Sequence, residues 1–218
     1  MSDLIQSGGA ARPRISRALA FSLAGAAVLL LAMGIDTKFV RIGSADDVKV
    51  KVFSKEDFGA AKFPEIQKFI VEHAVDAKTL GAAIAADKAE AGKKYGVETG
   101  TGPVIPVTLA GVAGEVQSGI YTLAVEGLPE GTKVRVQTGP AVNGTDLRDA
   151  TGQISFGQFT NQIEFQDAGS AINNEMKKQV LTKVDNSALA GKTLKVTGVF
   201  KLINPKNWLV TPVMLGVE

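Results

Sequence analysis

The stretch LKVTGVFKLINPKNWLVTPVMLGV, residues 194–217, decides the fold of this chain, because it reads as two β-strands joined by a turn. The first strand carries apolar or small residues at every second position, the period of a strand with one buried face. These residues are Leu194, Val196, Gly198, Phe200 and Leu202. The second strand is predicted to bury the alternating set Leu209, Thr211, Val213, Leu215 and Val217. The segment NPKN at 204–207 has the composition of the connecting turn.

Three further strands are predicted upstream of this pair, at 104–109, 120–125 and 132–138. The third alternates most clearly, with Val134 and Val136 on one face and polar residues on the other. A helix is predicted at 167–183, before the last two strands. Three strands, a helix and two strands is the order of a five-stranded OB-type barrel. The predicted fold is therefore α+β with an OB-like barrel at 101–218, and a half-barrel or an α+β sandwich would produce the same order.

Residues 36–100 are predicted to form a tether followed by a short helical region. Pro64 is placed in the first turn of one helix, since proline is favoured there. A second helix is predicted at 78–94, with Gly96 just beyond its end. The Gly- and Pro-rich segment 100–106 is predicted to be a hinge and the internal domain boundary.

Residues 1–35 are predicted to be a cytoplasmic tip and a segment that enters a membrane. Three arginines precede an uncharged apolar run at 18–35; they are Arg12, Arg14 and Arg17. As a helix the run would extend about 27 Å, which is close to the bilayer hydrocarbon thickness of about 30 Å. The arginines favour a cytoplasmic N-terminus with the remainder on the far side. An uncleaved anchor is the preferred interpretation, and a signal peptide cleaved before Ile35 is the alternative.

The part of the chain after this segment is close to electrically neutral. The chain has 24 basic and 22 acidic residues, and the residues before Ile35 account for the excess. A neutral domain argues against nucleic-acid binding, which needs a concentrated basic face. The chain has no cysteine and one histidine, His73. Thiol chemistry and a zinc cluster are therefore excluded, and neither a metal site nor a cofactor is predicted.

One polar segment, 143–164, has the composition of a binding site. A guanidinium can make two parallel hydrogen bonds, amides can bind hydroxyl groups, and aromatic faces can pack against a ligand. The predicted ligand or partner site consists of Thr145, Arg148, Asp149, Asn161 and Gln162. The alternative is an ordered crossover loop, in which Arg148 pairs with Asp146 or Asp149 and the two amides satisfy backbone groups. The sequence contains no recognisable catalytic constellation, so an enzyme is not predicted.

Several motifs are similar to those of one bacterial protein family. They are TGP at 138–140, GTDLRDA at 144–150, SF at 155–156, FTNQIE at 159–164, GKT at 191–193, TG at 197–198 and LVTPV at 209–213, together with KYG at 94–96. They resemble a domain-of-unknown-function family of predicted periplasmic lipoproteins, over most of residues 36–218. The resemblance implies an exported, membrane-attached protein without established catalytic residues. Family members are often encoded near sugar ABC-transport components, which implies an accessory role beside such a transporter.

The chain departs from that family at the end of its apolar run. Family members carry a lipobox there, in which a small residue is followed by the cysteine that bears the lipid. Here Met33 and Gly34 are followed by Ile35, so lipid cannot be attached at that position. If the membrane is still needed, the helix 18–35 must be the anchor itself.

Two functions are therefore predicted. The first is a membrane-anchored binding or accessory protein on the periplasmic face of the cytoplasmic membrane, linked to carbohydrate ABC transport. The second is a structural or protein-interaction module of the cell envelope that binds no small ligand. Cleavage near Ile35 would instead make the protein soluble in the periplasm.

Overall fold

A computed structural model describes residues 16–37 and 53–218 of the chain. The chain divides into two units, Met1–Lys51 and Val52–Glu218. Residues 38–52 of the predicted tether lie outside the described residues.

The described part of the first unit is one helix, α1, which spans Arg17–Asp36. Ser16 caps it by accepting a hydrogen bond from the Leu19 N–H at 3.2 Å. All of its residues are exposed, including Phe21 at 78% and Leu30 at 67%. The 20 residues extend about 30 Å as an α-helix, so α1 is long and apolar enough to cross a bilayer. A signal sequence would meet the same criteria. The predicted apolar helix at 18–35 is confirmed.

The second unit is built on a closed five-stranded barrel. Its strands are β2 (Val104–Gln117), β3 (Ile120–Ala124), β4 (Lys133–Gln137), β5 (Thr193–Lys201) and β6 (Asn207–Val217). They pair in the order β2-β3-β4-β6-β5, and β5 closes the barrel by pairing with β2 over nine residues. β4 and β6 are parallel, and the other pairs within the barrel are antiparallel. This is the strand arrangement of an OB fold with a helix between its third and fourth strands. The predicted α+β, OB-like fold is confirmed, as a closed barrel.

The barrel interior is filled by alternating strand residues, as the sequence predicts for β5. Phe200 stacks on Trp208 with ring centroids 4.7 Å apart, and both side chains are fully buried. The predicted inward face of β6 was wrong for its first half, where Trp208 and Val210 point into the barrel. A bulge causes the difference: the register shifts between Thr197 and Gly198, which leaves Val213 unpaired. Because one residue is added, the alternation of β6 changes face at Val213. Beyond it, Leu215 packs against the barrel core as predicted, whereas Val217 is 39% exposed.

Two long helices cover the outside of the barrel. α2 (Lys55–His73) packs against α6 (Gln162–Gln179). Together with outward residues of β2, β5 and β6 they enclose a second apolar cluster; its members include Phe63, Ile66, Ile70, Val104, Ile172, Met176, Val199 and Val213. The helices approach most closely where Gly59 meets the backbone of Ala171.

A third group of short elements completes the barrel core. β1 (Val75–Asp76) pairs in parallel with β2. α3 (Ala77–Ala86) and α4 (Lys88–Tyr95) add their apolar residues to the barrel interior; these include Leu80, Ile84 and Ala91. The remaining helical element with a predicted role, α5, spans Asp146–Asp149. Because β1 joins the sheet and α2 packs on α6, the predicted boundary near residue 100 does not separate two units.

Three predicted helices differ from the structure in their limits. The helix predicted at 167–183 is α6, which begins earlier, at Gln162, because Asn161 caps it, and ends at Gln179. α2 begins nine residues before Pro64, at Lys55, because the Ser54 side chain caps it by accepting from the Asp57 N–H at 3.3 Å. Pro64 therefore lies inside the helix, on its exposed side, where water can solvate the carbonyl left without a partner. The predicted helix at 78–94 is two helices, since the Asp87 carboxylate accepts from the Ala89 and Glu90 N–H groups and starts α4.

Candidate functional site

The centre of the predicted site is the short helix α5, where three of the five predicted residues meet. The Thr145 hydroxyl donates to Asp149 Oδ2 at 2.7 Å. Arg148 Nε donates to Asp149 Oδ1 at 2.8 Å, and its Nη2 lies 2.8 Å from the same oxygen. The carboxylate of Asp149 is thus held from both sides by residues of its own helical turn.

The rest of the Arg148 side chain also faces protein. Its Nη1 donates to the Phe165 carbonyl oxygen at 3.2 Å, and its guanidinium carbon lies 3.7 Å from the centre of the Phe165 ring. Only 8% of the residue is exposed. A guanidinium over an aromatic face gains a cation–π attraction, which is larger away from water. Arg148 therefore ties α5 to the first turns of α6, and this geometry matches the ordered crossover that the sequence left as the alternative.

A lysine from the barrel completes the charge balance around α5. Lys201 Nζ lies 3.5 Å from Asp149 Oδ2 and 3.7 Å from Asp146 Oδ1, and its side chain is 15% exposed. Burial raises the pKa of the Asp146 carboxyl, Lys201 acts in the opposite direction, and the charge of Asp149 adds to the increase. The cluster holds two cations and two carboxylates within the protein, so it is electrically balanced.

The two predicted amides lie apart from this cluster of hydrogen bonds. Asn161 is the N-cap of α6, and its Oδ1 accepts from the Glu164 N–H at 2.9 Å. Glu164 in turn accepts from the Thr160 N–H at 2.9 Å, so the two side chains cap the helix reciprocally. Gln162 is the exposed first residue of α6. The structure thus joins Thr145, Arg148 and Asp149 and gives Asn161 a capping role, while ligand binding by the five residues stays a prediction.

A groove that the sequence did not indicate runs between α2 and the loop 151–158. Its volume is about 640 Å³. Ile66, Phe69 and Ile154 provide apolar surface, and the amides of Gln153 and Gln158 lie on the loop side. The α2 side carries alternating charges, with ion pairs from Lys62 to Glu65 at 2.8 Å and from Lys68 to Glu72 at 3.8 Å. The helical spacing of Ile66 and Phe69 predicts an apolar helix face. It does not predict that the loop 151–158 lies opposite that face.

Beside the groove, five phenylalanines form a connected surface that we call the phenylalanine cluster: Phe53, Phe58, Phe156, Phe159 and Phe165. Their ring centroids lie 5.3–5.8 Å apart along the chain of contacts. The cluster joins the start of α2 to the start of α6 and continues into the Arg148 side chain through Phe165. These residues are separated in the sequence, and they come together only because α2 packs against α6. The sequence alone therefore does not predict the cluster.

Comparison with solved structures confirms the fold. A crystal structure of an OB-fold protein from Thermotoga maritima superimposes with a TM-score of 0.60 and 17% identity, covering 77% of this chain and 100% of that chain. At this identity the likeness concerns the fold alone. The comparison with curated proteins found no significant match.

Comparison with protein families confirms the resemblance seen in the motifs. The sequence profile of the DUF2291 family, described as predicted periplasmic lipoproteins, matches residues 25–216. The matched region includes most of α1, the barrel except its last strand residue, Val217, and both covering helices. The chain therefore belongs to this family of predicted periplasmic lipoproteins.

Proposed function

We propose that this protein is a membrane-anchored accessory protein on the periplasmic face of the cytoplasmic membrane, with α1 as its anchor and the barrel domain as a module that binds a partner protein. The observation that carries the proposal is α1 itself, an apolar helix with every residue exposed. A helix that is apolar on all sides needs a nonpolar environment, because each exposed apolar side chain costs free energy in water. Since the chain has no cysteine to carry a lipid, this helix is the remaining means of attachment.

The groove between α2 and the loop 151–158 is the surface proposed for the partner. It combines apolar surface with amide and charged groups, a mixture typical of transient protein interfaces. The Arg148 guanidinium, by contrast, is already bonded to Asp149 and Phe165. The partner class suggested by the family resemblance is a component of a carbohydrate ABC transporter.

A charge swap in the groove tests the partner proposal. Lys68→Glu with Glu72→Lys keeps the net charge and the i,i+4 pair but reverses the charges that a partner would meet. The matched control is Glu90→Lys with Lys93→Glu, which reverses an exposed pair on α4. Full-length variants are cross-linked in membranes and purified in detergent.

The proposal expects transport components to be enriched with wild type and with the α4 swap, and to be lost with the groove swap. If both swap variants capture the transport components equally, the groove is not the partner surface. If the wild-type protein captures no transport component above a mock purification, the accessory role is refuted.

A second function, a structural envelope module without a small ligand, is supported by a different observation. The buried pair of Arg148 and Asp149 serves the fold, since its hydrogen bonds join α5 to α6. Under this function the melting temperature of the full-length protein stays constant across a panel of sugars. A sugar-dependent increase that Arg148→Lys abolishes would instead favour the ligand site at Thr145, Arg148, Asp149, Asn161 and Gln162.

A further inference from the structure

The phenylalanine cluster ends in a surface that is both apolar and uncharged. Phe156 is 53% exposed and Ile163, on the first turn of α6, is 71% exposed. Phe156 packs edge-on against Phe165, with centroids 5.8 Å apart, so it stands on a layer of other aromatic rings. Two large apolar side chains exposed on neighbouring elements, one of them on a rigid aromatic base, are a feature of contact surfaces.

The segment that carries these side chains contains no charged residue. It is ATGQISFGQFTNQI, residues 150–163, and ten of its fourteen residues are exposed. In the whole chain 21% of residues are charged. Near this segment, Glu164 accepts a hydrogen bond from the Thr160 N–H and Lys55 pairs with Asp167 at 2.9 Å, and the α2 charges across the groove form two ion pairs, Lys62 with Glu65 and Lys68 with Glu72. A segment without charges of its own can enter the lipid interface at low cost, because charged side chains dominate the cost of insertion.

The path of the chain identifies the occupant of this surface. The described part of the domain begins at Phe53, which is a member of the cluster and lies 5.7 Å from Phe159. Fifteen residues, 38–52, connect it to Thr37 at the end of α1. That length of chain can span at most about 50 Å, so covalent connection limits the distance between Phe53 and the end of α1 to that value. A lipid surface is thus the partner nearest to it by covalent connection.

We propose that the exposed side chains of Phe156 and Ile163 insert into the interface of the bilayer that holds α1. The domain then contacts the lipid through this end of the phenylalanine cluster. This inference depends on the proposed anchoring by α1. The polar groups of the segment that do not line the groove, such as the Ser155 hydroxyl and the Gln162 amide, bond water and headgroups, while the two apolar side chains reach the acyl boundary. Such shallow insertion is the mode of interfacial segments in proteins attached by another anchor.

Single-cysteine labelling tests the contact, and the absence of native cysteine makes it specific. Ser155→Cys, beside Phe156, and Thr122→Cys, on the exposed face of β3, are each labelled with an environment-sensitive fluorophore in the full-length chain. The proteins are reconstituted into vesicles of phosphatidylethanolamine and phosphatidylglycerol that contain a spin-labelled lipid. Flotation measures anchoring separately.

The label at 155 should be quenched by the lipid and the label at 122 should not. Phe156→Glu with Ile163→Glu should reduce quenching at 155 by about tenfold, since the two apolar side chains proposed to enter the lipid are replaced by charges. Ile163→Glu alone, at a side chain that is 71% exposed, repeats the test where folding is least affected. Flotation of all variants should be unchanged.

Three outcomes would overturn the inference. Equal quenching at 155 and 122 in floating protein would refute the contact while leaving α1 as the anchor. If quenching at 155 is unchanged in both glutamate variants, Phe156 and Ile163 do not make the lipid contact. Failure of the wild-type chain to float would refute the anchor, and the lipid contact with it. In the first case, a photoreactive probe attached at 155 in place of the fluorophore would identify the surface as a protein interface if it cross-links to a protein.

Discussion

The bonded pair of Arg148 and Asp149 is the charged pair that stability should depend on most. Asp149→Asn leaves the guanidinium, 8% exposed, without its main counter-charge. We expect a loss of about 3 kcal/mol in the free energy of unfolding, because an unpaired buried charge is costly. Denaturant unfolding of the full-length protein in detergent measures it. The control is Asp167→Asn, whose partner Lys55 is 53% exposed in its side chain and which should cost less than about 1 kcal/mol. Equal losses in the two variants would show that the α5 pair is dispensable.

Asp146, three residues away, is predicted to behave in the opposite way. Its pKa is raised above the ordinary 3.8, chiefly by burial. The folded state therefore holds the proton more tightly than the unfolded state, and stability falls as the pH rises from 3.8 through the folded pKa. Asp146→Asn removes this cost, so the variant should be at least as stable as wild type at pH 7. Its advantage should shrink as the pH falls toward 3.8.

Unfolding by urea at several pH values checks this dependence. Asp185 provides the contrast, because hydrogen bonds from Ser187 lower its pKa. Its stabilising effect is present above the unfolded value of 3.8 and disappears as the pH falls through the lower folded pKa. Asp185→Asn should therefore shift the pH profile in the opposite direction to Asp146→Asn. Parallel profiles for the two variants would contradict the assignment.

At the scale of elements, the crossing of α2 and α6 depends on one glycine. A Cβ on Gly59 would lie 2.6 Å from the Ala171 carbonyl oxygen, so the helices would have to separate. Gly59→Ala should destabilise the protein by about 1–3 kcal/mol through overpacking, although alanine improves helix propensity by about 1 kcal/mol. Thermal unfolding followed by circular dichroism measures the change.

The same substitution on the partner helix is the matched control. A Cβ on Gly169 would meet Thr145 Cγ2 at 3.8 Å and Arg148 Cδ at 3.9 Å, which are ordinary contacts. Gly169→Ala should therefore leave stability unchanged or raise it by up to about 1 kcal/mol. A loss in Gly169→Ala as large as that in Gly59→Ala would mean that the crossing is looser than the structure indicates.

The elements also show how far the sequence alone could predict the structure. Strand alternation predicted the barrel order and the inward face of β5, because period 2 reports burial directly. The bulge at Val213 reverses the face of β6 without a local signal, and α2 begins at the Ser54 cap, a start that the preference of proline for first turns does not reveal. At the candidate site, the residue types predicted a polar cluster but not which groups bond to each other. Whether Arg148 faces a ligand or Asp149 depends on the packing of α6, which composition does not predict.

At the scale of the whole molecule, the two proposals together would replace the lipid anchor of the family. α1 has the apolar length of a membrane span, and segment 150–163 has no charged residue that would oppose contact with the lipid interface. A chain held by one helix of about 30 Å has little excess length for tilt. A second contact through the domain would restrict its orientation, which would place the groove beside α2 at a defined height for a membrane-bound partner.

The anchor itself gives the last prediction. Leu29→Lys with Leu30→Lys puts two charges in the middle of α1, and each should cost about 2.5–3.5 kcal/mol on insertion. We expect wild type to remain in carbonate-washed membranes with α1 present in its intact mass, and the double variant to be lost from them. Ile203→Lys is the control, because this side chain is 65% exposed on the barrel domain and should not affect retention. A wild-type mass corresponding to a chain that starts at Ile35 would show that α1 is a cleaved signal, and the domain would then have to reach its partners from the soluble periplasm.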